Sequence, residues 1–162
     1  MREVERTRRV GGTPAEVLRL LSPTTVVDWE GSFDVFDVQT AADREGEGTV
    51  VTAGGTGVKL RLRFTELADG YRYEQLGDGG PFDELTTRLR VEAADEGARV
   101  TARSSVAFGL PVPFADRVAA WKRGGELDRL LDRIDAETRG GRRRQRWQRR
   151  QLRQRRRRQQ RW

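Results

Sequence analysis

The chain has 162 residues, enough for one domain with a single buried core and a short appendage. It has no cysteine and no histidine, which excludes disulfides, thiolate nucleophiles, imidazole bases and the commonest zinc ligands, and leaves Asp, Glu, Tyr, Ser and Thr for any chemistry. The net charge of +7 is divided: all 25 acids lie at or before Glu137 while 13 of the 32 basic residues lie in 139–162, so residues 1–138 carry −6 and the rest +13. This excludes a basic domain and separates a folded body, residues 1–138, from an Arg/Gln-rich tail, residues 139–162.

The N-terminal stretch MREVERTRR has no apolar signal region, and no run approaches the roughly 18 to 20 apolar residues that span a bilayer, so a cytoplasmic protein without a transmembrane segment is expected. The body is acidic and rich in Ala, Gly and Val, with Lys59 and Lys122 its only lysines and no asparagine. That composition is similar to proteins of salt-adapted microbes, which leaves a halophilic origin open.

In chain order, a first strand is expected near residues 2–10. Thr13-Pro14-Ala15-Glu16 then has the form of a capping box, with Thr13 accepting at the helix start, Pro14 presetting φ and Glu16 reaching back. The short helix it opens offers Val17, Leu18, Leu20 and Leu21 for burial and is expected to end at Pro23, with one more short turn in TTVVDWEG.

From Phe33 the period becomes two. VKLRLRF puts Val58, Leu60, Leu62 and Phe64 on one face and Lys59, Arg61 and Arg63 on the other. LTTRLRVE and ARVTARSSVAF alternate likewise, with Leu85, Thr87, Leu89 and Val91, then Val100, Ala102, Ser104, Val106 and Phe108, facing inward. Turn signals at REGEG, ADG, GDGGP and ADEG separate about six antiparallel strands between 33 and 108. GGTGVK lacks the spacing of a phosphate loop and leads into a strand, so it reads as a hairpin turn.

After GLPVP, residues 114–137 read as an amphipathic helix. Its stripe is Ala120, Gly124, Leu127, Leu131 and Ile134, flanked by Trp121 and Leu130, with Lys122, Glu126, Arg129, Asp132 and Arg133 on the wet side. A half-buried sheet and a helix with one apolar stripe must cover each other, an α+β arrangement.

The order strand, short helices, about six antiparallel strands, long C-terminal helix resembles the START-like, polyketide-cyclase-like (SRPBCC) superfamily. TPAEVLRLLSPTTVVDWEG is similar to that family's opening, REGEGTVV to its Gly-rich turn into the third strand, and DGYRYEQ to its Tyr-bearing strand, over residues 1 to about 137. The resemblance implies a helix-grip fold, in which a curved sheet of about seven strands wraps the last helix. It also implies a cavity between sheet and helix for an apolar molecule of lipid, polyketide or quinone type. Some members are cyclases or hydrolases and many only bind or carry, so a cyclase or dehydratase using the same cavity is a further alternative, and no catalytic residue, metal ligand or cofactor is carried over.

The candidate ligand-binding residues are Trp29, Phe33, Leu60, Leu62, Phe64, Tyr73, Thr87, Leu89, Ser104, Val106, Ala120, Trp121 and Gly124. Tyr73, Thr87 and Ser104 differ from the rest, because a hydroxyl on an apolar face needs a partner in backbone, water or ligand. Gly124 either leaves cavity volume or permits close helix-on-strand packing or a kink. Glu66, Glu74, Asp83 and Glu84 read as solvated surface.

Gly140-Gly141 is expected to stop the helix and leave the tail disordered, since Trp147, Leu152 and Trp162 form no apolar stripe. Nucleic-acid or anionic-surface binding through Arg142, Arg143, Arg144, Arg146, Trp147, Arg155, Arg156, Arg157 and Arg158 is the alternative function, set against a tail of no function. The primary expectation is a non-catalytic binding or carrier domain for a small apolar ligand. Nucleic acid is possible through the tail only, and the oligomeric state is left open.

Overall fold

The computed structural model describes residues 1–43, 46–80 and 82–159. Its first strand, β1 (Arg2–Val10), leads into helix α1 (Pro14–Leu20), and the capping box forms as read. Thr13 Oγ1 accepts from the Glu16 amide at 3.2 Å, and the Thr13 amide donates to Glu16 Oε2 at 2.9 Å. Pro23 does more than end α1: with Ser22 as cap, it is the first residue of α2 (Pro23–Glu30). Proline suits that position because the first helical amide has no partner inside the helix. Gly31, at φ 75°, closes α2 in the left-handed conformation that glycine adopts without steric cost.

Six strands follow: β2 (Asp34–Asp43), β3 (Gly46–Gly55), β4 (Val58–Leu67), β5 (Gly70–Leu76), β6 (Glu84–Ala94) and β7 (Gly97–Ala107). They form one antiparallel sheet in the order β1-β7-β6-β5-β4-β3-β2. The period-two readings hold: Leu60, Leu62 and Phe64, then Leu85, Thr87, Leu89 and Val91, then Val100, Ala102, Ser104 and Val106 are all buried. Arg63 departs from its expected wet face and is 5% exposed. Arg44 and Glu45 of the REGEG turn and Pro81 of GDGGP lie outside the described residues.

Helix α3 (Ala115–Gln159) lies in the curve of the sheet, against β1, β7, α1 and α2. Its buried side is Ala119, Arg123, Gly124, Glu126, Leu127, Leu130, Leu131, Ile134 and Thr138. The lower half of the expected stripe is right. At the upper end the helix is turned so that Arg123 faces the sheet, and Trp121 stands 81% exposed. Glu126, expected on the wet side, is buried. The helix presents these charges inward because it finds opposite charges and hydroxyls there, as described below.

The expected stop at Gly140-Gly141 and the disordered tail are not what the structure has. Helix α3 runs through both glycines to Gln159, with residues 141–153 exposed. Each glycine costs about 1 kcal/mol relative to alanine, but a helix already nucleated by its packed half needs only propagation, at which Arg and Gln are good.

Candidate functional site in the grip

Sheet register brings the site together. Along one row across the sheet, Phe64 pairs with Tyr73, Tyr73 with Thr87, Thr87 with Ser104, and Ser104 with Val4. Because neighbours in a row point to the same face, the three hydroxyls stand side by side on adjacent strands, facing α3. All three residues are buried, as is Phe64, which stacks on Tyr73 with ring centroids 4.5 Å apart.

Into this row α3 lowers one guanidinium. Arg123 is 2% exposed and makes five hydrogen bonds: Nε to Ser104 Oγ at 3.1 Å, Nη1 to Glu126 Oε2 at 2.7 Å, and Nη2 to Glu30 Oε1 at 2.8 Å, Tyr73 Oη at 2.7 Å and Thr87 Oγ1 at 3.0 Å. Glu30 comes from the last turn of α2, and its Oε1 also accepts from the Tyr73 hydroxyl. Thr87 and Ser104 are hydrogen-bonded to each other at 2.8 Å. Ser32 donates to Glu126 Oε1, and Arg129 holds the loop after α2 by donating to the Glu30 carbonyl at 2.7 Å.

One guanidinium therefore meets two carboxylates and three hydroxyls in a space closed to water. Burial opposes its charge, yet Glu30, Tyr73 and Glu126 outweigh burial and hold Arg123 charged beyond the ordinary arginine range. Burial, with Glu30 beside it and Arg123 pulling the other way, pushes the Tyr73 phenol well above its usual value. Tyr73 is thus a hydrogen-bond donor and not a base. In this arrangement the donors are met within the cluster: the phenol donates to Glu30, the guanidinium to both carboxylates and all three hydroxyls, and Thr87 and Ser104 bond each other.

Of the candidate residues, the structure brings Leu60, Leu62, Phe64, Tyr73, Thr87, Leu89, Ser104 and Val106 into the buried concave face. Ala120 and Phe33 are half-buried at its edge, with Lys122 Nζ 5.6 Å from the Phe33 ring centre. Trp29 packs on the core from α2 and borders an outer hollow with Arg129 and Asp132. Trp121 points to solvent. Gly124 faces β1: a Cβ there would lie 2.5 Å from Nη2 of Arg6, the mobile end of a half-exposed side chain, and 3.6 Å from Cγ1 of Val4.

Sequence reasoning does not mark Arg123, Glu30, Glu126 or Ser32 as site residues. The signal for Arg123 is its place three and four residues before Glu126 and Leu127, but a charge on an amphipathic helix reads by default as solvated. In the tail, Arg142, Arg143, Arg144, Arg146, Trp147 and Arg156 are exposed on α3, while the side chains of Arg155, Arg157 and Arg158 lie outside the described residues. Among the described residues no cluster of three or more acids is placed to hold a metal, and no helix is long and apolar enough to cross a membrane.

The sequence model of a family described as polyketide cyclase/dehydrase and lipid transport matches residues 1–139. The chain belongs to this family. A START superfamily protein from Mycobacterium smegmatis is similar in fold, with a TM-score of 0.65 at 13% identity over 85% of this chain and 97% of that one. The protein TTHA0849 from Thermus thermophilus is similar at 21% identity, TM-score 0.56, over 85% of this chain and 99% of the other. The di-domain ARO/CYC BexL, from the BE-7585A biosynthetic pathway, gives a TM-score of 0.63 at 19% identity, with 84% of this chain covering 46% of BexL. No curated protein matches. Family membership thus covers the helix-grip body and stops where α3 leaves it.

Proposed function

We propose that this family member binds or carries a small, mostly apolar molecule of lipid, polyketide or quinone type between the sheet and α3, and that the molecule bears an oxygen-rich polar end. The observation that supports this reading is the row of buried hydroxyls crowned by Arg123, a set of convergent donors within apolar walls, as in small-molecule sites generally. In the closed arrangement the donors satisfy one another, Glu30 and Glu126. A ligand carboxylate or carbonyl takes the place of Glu126, the acceptor carried by the helix.

Cyclase or dehydratase chemistry in the same place needs a free base as well as donors, whereas the two carboxylates of the cluster, Glu30 and Glu126, are both engaged by Arg123. Binding is therefore the reading put first.

The test is a comparison of oleate with its methyl ester by displacement of a fluorescent fatty acid. Oleate is expected to bind at least ten times more tightly than methyl oleate, a difference of about 1.4 kcal/mol. Tyr73→Phe should narrow that preference with the circular dichroism spectrum unchanged. Equal affinity for acid and ester, or binding of neither, overturns the proposal.

A further inference from the structure

The extension of α3 beyond the family match has a pattern that a disordered tail would not display. On a helix of 3.6 residues per turn, Arg142, Arg146, Arg149, Arg153 and Arg156 follow steps of four and three, so they fall within about 80° of one another and form a ridge about 21 Å long. Arg143 and Arg150 flank the ridge, and Trp147, Gln148, Gln151 and Leu152 stand on the other side with Arg144. All of these are exposed, and no acid follows Glu137 to neutralise them.

Several partners are disfavoured by this pattern. Trp147 and Leu152 are too few and too far apart to make the apolar face that an interfacial membrane helix buries. There is no apolar seam for a coiled coil. A rigid line of cations matches a rigid line of anions: B-form DNA carries one charge per about 1.7 Å of axis, and its major groove, about 12 Å wide, admits an α-helix. The major groove of A-form RNA is too narrow for one, and a single strand has no use for a stiff rod.

We propose that the extension of α3 is a docking helix for double-stranded DNA, bound without sequence preference, with Arg142, Arg146, Arg149, Arg153 and Arg156 set along the phosphates of the major groove. This goes beyond ligand binding in the grip and stands or falls separately from it.

The experiment uses the full chain and a labelled 20-base-pair duplex in fluorescence anisotropy across a salt series. Each phosphate contact contributes about −0.9 to the log-log salt slope, so five contacts give about −4 to −5. Changing the five ridge arginines together to glutamine should weaken binding at least a hundredfold and flatten the slope. Gln148→Pro keeps every charge but breaks the rod, and should weaken duplex binding at least fivefold. The proposal is overturned if the five-arginine variant binds as the parent does, if Gln148→Pro has no effect, or if duplex RNA, an oligothymidine of equal length or anionic phosphatidylserine vesicles bind more tightly than duplex DNA. Salt-sensitive self-association through the acidic body, seen by sedimentation in place of DNA binding, overturns it as well.

Discussion

Arg123 and Glu30 are 93 positions apart in the chain and 2.8 Å apart in the core, where their ion pair ties the last helix to the second one across the top of the sheet. Such a pair holds a particular arrangement more than it adds stability, because desolvating two charges offsets most of their attraction. Removing one partner is another matter.

Arg123→Met leaves Glu30 and Glu126 buried without their counter-ion. A loss of about 3 to 5 kcal/mol in unfolding free energy is expected, the general result of breaking a buried pair on one side. Urea denaturation monitored by tryptophan fluorescence checks it, and Glu126→Gln, which leaves Glu30 in place against the guanidinium, should lose distinctly less.

The raised Tyr73 phenol sets a pH dependence on the alkaline side. Its folded value lies above the unfolded value of about 10, so the folded state retains a proton that the unfolded state gives up. Stability is fully present below pH about 10 and declines as pH rises beyond it. In a spectrophotometric titration at 295 nm, Tyr71, shifted upward chiefly by partial burial, should ionise in the folded protein, whereas Tyr73 should ionise only with unfolding. Tyr73→Phe should remove the alkaline loss while lowering stability at neutral pH by about 1 to 3 kcal/mol, for the hydrogen bonds left open.

The two glycines in the packed half of α3 should differ in how large a side chain they accept. A Cβ at Gly125 would meet only Nη1 of Arg129, at 3.8 Å, so Gly125→Ala should raise stability by up to about 1 kcal/mol through helix propensity alone. Gly124→Ala gains the same propensity and need only displace the half-exposed end of Arg6, whereas Gly124→Leu should lose about 1 to 3 kcal/mol by overpacking against β1. Pairing Gly124→Leu with Arg6→Ala should recover part of the loss in thermal melts.

At the other end of the body, Thr13→Ala removes the acceptor for the Glu16 amide, while the backbone amide of residue 13 can still donate to the Glu16 carboxylate. A loss of about 1 kcal/mol is expected, and Thr13→Ser should restore most of it.

Much of the fold is legible in the sequence because its signals are local. Alternation in β4, β6 and β7 names the buried face residue by residue, and the capping box locates α1. The hydroxyls of Tyr73, Thr87 and Ser104 are also visible, since each interrupts an apolar face. Their shared row is not, because it depends on register between strands that no single stretch records. Arg123 is hidden for a related reason: its burial is tolerable only with Glu30, Glu126 and the hydroxyls around it, and those partners come from α2, α3 and three strands. Continuation of α3 past Gly140-Gly141 escapes a local reading because a glycine pair ordinarily stops a helix, whereas a helix held by a packed half can carry two unfavourable residues.

The sheet also implies an order of assembly. Five of its six ladders join strands consecutive in the chain. The sixth sets β1 on β7, pairing Thr7 with Thr101 across 94 positions. Hairpins zip in about 1 to 10 μs, whereas closing so long a segment carries an entropy penalty that only completed neighbours repay. The meander from β2 to β7 can therefore gather first, with β1 arriving against a finished edge. Because α3 rests on β1 as well as on β7 and α2, its full seating, and with it the Arg123–Glu30 pair, is expected to follow that arrival. Interactions formed that late are absent from the folding transition state, so their loss should accelerate unfolding and leave the folding rate almost unchanged.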